Sequence, residues 1–278
     1  MRWFAEDSDL KMIEDHNFPN VILFGGFAIS YEEERALKAD IEAAKGRFVH
    51  PRSPIKWNFK DLRGKYRQQN HEEAYRALLE NMFEVRKAIF EAASKHYFCI
   101  IFSLVRGYSS DKQVLREAKS DLARYVFTNS LMRFALHAQE CKANKPEIIL
   151  DWPDGNDPKP YDIEYASAYN FGKTKDGVSY HSGPLSELGF SDSPAYCRMP
   201  HNTMLQFADM VLGATREFVC HSIDESKTGQ GIELLGTIAN KFRGYPNNVV
   251  GRGISVNGRA DDIKRSITTK FQELYVDL

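Results

Sequence analysis

Residues Val21–Ser30 read VILFGGFAIS, ten positions without a charge and with a glycine pair in the middle. A run that is apolar at every position has no face to give to water, so it reads as a buried central strand. The rest of the chain has to supply cover for it. Tyr31–Lys45 follows helical spacing, with Leu37, Ile41 and Ala44 on one face and Gly46 as a stop. Helical spacing recurs over His71–Lys95 (Tyr75, Leu78, Leu79, Met82, Val85, Ile89) and over a long amphipathic stretch from Asp111 to Glu140. Short β-rich runs predict strands at Arg2–Ala5, His96–Val105 and Glu147–Trp152, and Ile55-Lys56-Trp57 offers another inside the mixed segment Phe48–Phe59. The Pro-, Gly-, Asn- and Asp-rich stretch Pro153–Gly183 predicts a loop-bearing insertion. Helices at about Pro200–Val219 and Ile232–Phe242, a short Val249–Val256 segment and a helix from Ala260 complete the chain. Strands that come first and then alternate with helices define an α/β class, one mixed sheet flanked by helices.

Hydrophobic residues make up 42% of the 278 positions and aromatic residues 12%, enough apolar mass to exclude a disordered chain and to fill one large core or two small ones. The 37 basic and 38 acidic residues give a formal net charge of -1, so attraction to a polyanion has to come from a local patch. One such patch is Arg47, Arg52, Lys56, Lys60, Arg63, Lys65 and Arg67, interleaved with Phe48, Trp57, Phe59 and Tyr66. Cations and rings together suit a nucleic-acid strand; a solvated surface segment is the alternative. Cys99, Cys141, Cys197 and Cys220 are far apart with no CxxC pair, which argues against a zinc site and for reduced thiols. Glu6 and Asp7 follow Met1 too closely for an apolar signal core, and no run approaches membrane-spanning length, so a cytoplasmic protein with no membrane partner is expected.

Carboxylates at the ends of buried runs carry the chemistry. Glu6-Asp7-Ser8-Asp9 closes the first strand, Asp151 follows Ile148-Ile149-Leu150, and Asp209 sits inside Met204–Leu212. Asp209 belongs to a narrow polar stripe, Asn202, Gln206, Asp209, Gly213 and Arg216, on an otherwise apolar helix. An ionised carboxylate among apolar neighbours is costly unless neutralised. Ligand sites of α/β sheets gather at the carboxyl ends of strands, and hard oxygen donors suit Mg or Mn. A turn or helix cap is the alternative for the opening acids and for Asp151, an ordinary polar face for Asp209.

The chain resembles the bacterial DUF 3800 family. Its features are a strand running into an Asp-Glu-Ser-Gly motif (here Glu6-Asp7-Ser8-Asp9), an apolar glycine-containing strand and helix (Val21–Lys45), a Lys-Trp pair (Lys56-Trp57), an Asp-Ser element (Asp192-Ser193) and a Leu-Gln-x-Ala-Asp helix (Leu205–Asp209). The first two acids are inverted and Asp9 replaces the usual Gly. The resemblance implies an RNase H-like domain over residues 1–220, followed by a helical extension over 221–278 packed on the same domain. It also implies catalytic and metal-holding roles for Glu6 or Asp7, Asp151 and Asp209, with Lys56 offsetting phosphate charge. Strand neighbours face opposite sides, so Glu6 and Asp7 stay open alternatives. The expected activity is Mg- or Mn-dependent phosphodiester hydrolysis, nuclease-like. A non-catalytic RNase H-like scaffold binding nucleic acid or a protein is the second expectation. A hydrolase or transferase acting on small phosphorylated molecules through Asp7-Ser8-Asp9 is the third. His181 and His201 are further proton carriers to consider, or simply exposed histidines.

Overall fold

A computed structural model describes residues 1–8, 21–106, 112–152, 158–256 and 260–276; Asp9 and part of the proposed 153–183 insertion lie outside them. Strands β1 (Arg2–Asp7), β2 (Val21–Ile29), β3 (Phe98–Arg106), β4 (Glu147–Asp151), β5 (Ala195–Cys197) and β6 (Ile254–Val256) form one mixed sheet in the order β5-β4-β1-β2-β3-β6. The first three pair antiparallel, β4 runs parallel to β1, β5 to β4 and β6 to β3.

The described α-helices are α1 (Tyr31–Gly46), α2 (Arg63–Gln68), α3 (Glu72–Glu80), α4 (Met82–Ser94), α5 (Lys112–Glu140), α6 (Lys159–Phe171), α7 (Thr203–Ile223), α8 (Gly231–Thr237), α9 (Val249–Arg252) and α10 (Asp261–Val276), with short 3-10 turns between some of them. β2 is buried at all nine positions, and the reason is that both its faces are covered. Val21, Leu23, Phe27 and Ile29 enter a core built with α1, α4, α7, α8 and α10. Ile22, Phe24 and Ala28 enter a second core built with α5 and α6. The period-2 alternation of side chains thus sorts every strand between two layers of helix. No helix among the described residues is long and apolar enough to cross a membrane.

Four local expectations are corrected. Ile55-Lys56-Trp57 is not a strand, because its backbone partners are side chains. The Tyr66 hydroxyl donates to the Pro54 carbonyl (2.8 Å), Arg86 donates to the Trp57 carbonyl, and the Trp57 N–H donates to Asp209. The single helix expected over His71–Lys95 breaks at Asn81, where the backbone leaves helical geometry (φ -111°, ψ 26°) and the side-chain amide joins the backbone N–H in donating to the Ala77 carbonyl (2.9 Å). The 153–183 stretch contains α6, which buries Tyr161, Tyr165 and Ala168 at helical spacing and stops at Gly172 in the left-handed region. β5 and β6 have three residues each, too few to show a period. Beyond residue 220 the chain supplies helices and also the edge strand β6, and Phe271 of α10 packs on Phe218 (4.6 Å between ring centres) and Phe242 (5.1 Å).

Candidate active site

The strand ends decide which acids meet. Phe4 enters the α7-side core while Trp3 and Ala5 enter the α5-side core, so Glu6 continues the α7 face and Asp7 the opposite one. In β4, Ile149 shares the core of Phe4, and Asp151 follows on the same face. Ala5 and Leu150 are parallel ladder partners, so the next residues, Glu6 and Asp151, stand at adjacent strand ends. Glu6 is paired with Gly25 of β2, at φ +151, and a Cβ there would fall on the Ile101 carbonyl; no side chain can stand beside Glu6 on that strand. Asp7 accepts a hydrogen bond from the Tyr161 hydroxyl (3.3 Å) on the α6 side. Ser8 extends the β1–β2 pairing, its hydroxyl accepting from Leu23 N–H (2.8 Å), and Asp7 and Ser8 both line the same cleft as Glu6.

Asp209 reaches the same place from α7. The helix starts at Asn202, whose side-chain oxygen accepts from the N–H groups of Met204 (3.0 Å) and Leu205 (3.1 Å). Gln206, Asp209 and Gly213 of the polar stripe each have a partner or task. Buried Gln206 accepts from Lys45 Nζ (2.8 Å) and donates to the Met199 and Pro200 carbonyls (3.3 and 3.1 Å). Asp209 accepts from Trp57 N–H. Gly213 gives room to the Trp57 indole, on which any Cβ at 213 would fall. The indole in turn donates to Glu217 Oε1 (3.0 Å) and lies under the Arg86 guanidinium (3.9 Å to the ring centre). Arg86 also donates to Gln230 (2.7 Å), so α4, α7 and α8 together hold the Lys56-Trp57 turn.

Lys56 projects into the acids, its Nζ 3.9 Å from Glu6 Oε1, while Glu6 Oε2 is buried with no hydrogen-bond partner. Burial raises the Glu6 carboxyl well above the usual range; Asp209, Asp151 and Asp7 add to the rise and Lys56 opposes it. Burial also lifts Asp209 to about 6, against the pull of Lys56 and the Trp57 N–H. Burial would lower Lys56, but Asp209, Glu6 and Asp151 outweigh it and hold the ammonium charged. Asp151 uses Oδ1 to accept from Met199 N–H (2.7 Å). Among the described residues no three acid, histidine or cysteine side chains are close enough together to make a ready metal site.

The acids line a cleft of ≈ 1390 Å³. Arg52, Lys56, Lys60 and Lys65 of the basic segment reach it, as does His201; Arg47, Arg63, Arg67 and His181 are not part of its lining. Asp192 and Ser193 are exposed and also outside it. The rings expected for base stacking are engaged elsewhere: Phe59 and Tyr66 are core residues, Phe48 packs against the core, and Trp57 is clamped by Arg86. Arg86, Glu217, Trp152 and Arg198 also line the cleft and were not anticipated. Glu217 lies two turns beyond Asp209 on the polar stripe and was open to discovery by extending it. Arg86 had no signal, since a lone arginine within a helical pattern reads as a solvated position. No protein family, curated protein or solved structure gives a match to this chain.

Proposed function

We propose that the chain is an RNase H-like phosphodiester hydrolase, a divergent relative of the DUF 3800 family, that works with Mg or Mn. The observation that carries this reading is that Glu6, Asp151 and Asp209, from two adjacent strand ends and a facing helix, all line one large cleft. Burial above all, with the neighbouring acids adding to it, raises the Glu6 and Asp209 carboxyls and favours additional positive charge there. The three are oxygen donors of the kind a hard divalent ion takes, but as they stand they are not close enough together to share one, so binding an ion requires them to draw together around Glu6 Oε2, a buried oxygen with no hydrogen-bond donor on it. When bound, such an ion supplies Lewis acidity and a nucleophilic water at neutral pH. Lys56 lies where it can offset the charge of an incoming phosphate, and the Trp57 N–H fixes one oxygen of Asp209 so that the other stays oriented. Arg52, Lys60 and Lys65 give the phosphate backbone a cationic approach. Purified protein is expected to cut DNA or RNA only with added Mg or Mn, and Asp209→Asn or Asp151→Asn to abolish cutting. Cleavage that persists in excess chelator overturns the proposal.

A second reading, a non-catalytic scaffold of the same class, is favoured by one feature. Lys56 already supplies an ammonium 3.9 Å from Glu6, a counter-ion built into the chain. Calorimetry with Mn separates the two readings: no heat of binding to the folded protein supports the scaffold.

A further inference from the structure

The acids account for a phosphate and leave the rest of the cleft unexplained. One residue past Asp151 stands Trp152, and among the described aromatic residues lining the cleft it alone is exposed, with 45% of its surface open. Phe24 and Tyr161 are buried and Trp57 is clamped. An open indole is costly in water, yet this one is held in place. The backbone N–H of Trp152 donates to the Cys197 carbonyl (2.7 Å), and the indole ring meets Tyr196 edge to face (5.6 Å, 82°). Tyr196 is itself tied through its hydroxyl to Asp162 (2.6 Å). Arg198, next in the chain after Cys197, the ladder partner of Asp151, is exposed and lines the same cleft. An exposed ring and a guanidinium therefore line the same cleft as the acids, each one residue beyond the end of neighbouring parallel strands.

We propose that Trp152 and Arg198 form a subsite for one nucleotide unit of a single-stranded nucleic acid, the indole stacking on its base and the guanidinium meeting its phosphate. The ligand class rests on the phosphodiester reading of the acids; the placement rests on the ring and its supports. Stacking needs a base whose face is free, which an unpaired strand provides. At ≈ 1390 Å³ the cleft exceeds the roughly 300–1,000 Å³ typical of small-molecule sites, so it has room for more than one unit of a chain. Because the indole already rests against Tyr196, stacking costs less side-chain entropy than it would for a free ring.

The test measures binding apart from cutting. In chelator, and in an Asp209→Asn background, fluorescence anisotropy is read with labelled single strands of about ten nucleotides, the matching duplex, and adenosine monophosphate as competitor. Trp152→Ala is expected to weaken single-strand binding about 5- to 150-fold, the usual range for one stacked base, with Trp152→Phe keeping most of the affinity. Arg198→Ala is expected to weaken it and flatten the salt dependence. Unchanged melting temperatures show that the variants fold. Equal affinity of Trp152→Ala and its parent, duplex bound as tightly as single strand, competition by the monomer at equal concentration, or no binding of any strand each overturns the subsite. Binding that responds to Trp152 in a protein that never cuts with Mg or Mn sinks the hydrolase and leaves the subsite standing.

Discussion

At the scale of single residues, the decisive contact is Lys56 with the acids. With Lys56→Met, Glu6 and Asp209 lose their internal cation while remaining buried, and the protein in chelator is expected to lose roughly 2 kcal/mol. That is less than the 3–5 of a fully enclosed pair because the lysine side chain is 28% exposed. Urea denaturation with and without Mn checks it: added metal restores the loss if the acids take an ion. A second residue-scale prediction concerns His137 in the last turn of α5, held down to about 4 by burial and by Arg243. Its folded value lies below the unfolded one of about 6.5, so the unfolded chain takes up the proton first. The stability it contributes is present above pH 6.5 and is lost as pH falls from there through 4. His137→Gln is expected to flatten the slope of unfolding free energy against pH in that window, measured by denaturant titrations at several pH values. Legibility at this scale was uneven. Asp209 stood out because a charge inside Leu205–Leu212 is expensive, whereas which face Glu6 and Asp7 each take needed the two cores on either side of β1. Trp152 went unread because an aromatic residue after a strand is as easily core as surface.

At the scale of elements, α7 is the part on which the site turns, since it carries Asp209, Gly213 and Glu217 on one seam. Gly213→Ala pushes a methyl group into the Trp57 indole. The expected cost is about 1–3 kcal/mol of overpacking, with displacement of the Lys56-Trp57 turn from Asp209. Thermal melts and the emission of Trp57 report the two effects, and a variant with unchanged melting and emission would contradict the packing described. The long elements were legible because their patterns are long: β2 has nine covered positions, and α1 and α5 repeat over several turns. What escaped was decided by contacts distant in sequence. The Lys56-Trp57 turn read as a strand until Asp209, 152 residues away, claimed its N–H. β5 and β6 owe their strand geometry to β4 and β3 rather than to any periodicity of their own.

At the scale of the whole molecule, two helical layers and the edge strand β6 depend on one another, so the chain after Arg252 belongs to the folded unit. Truncation there removes β6 and α10, bares the edge of β3 and uncovers Phe218 and Phe242. The shortened protein is expected to be insoluble or to melt far below the full chain, measured by soluble yield and thermal scanning. An ion bound by the trio also stabilises the whole fold by mass action, about 2.7 kcal/mol at one hundred times its dissociation constant. Wild-type melting is therefore expected to climb with Mn while Asp209→Asn stays flat. The sheet adds a constraint on how such a protein diverges. Since position 25 tolerates no side chain without severing β2 from β3, descendants have no route to retiring the Glu6 recess by plugging it from the adjoining strand. Filling it falls to other elements that line the cleft, or the acids themselves change, and either event is written openly in the sequence.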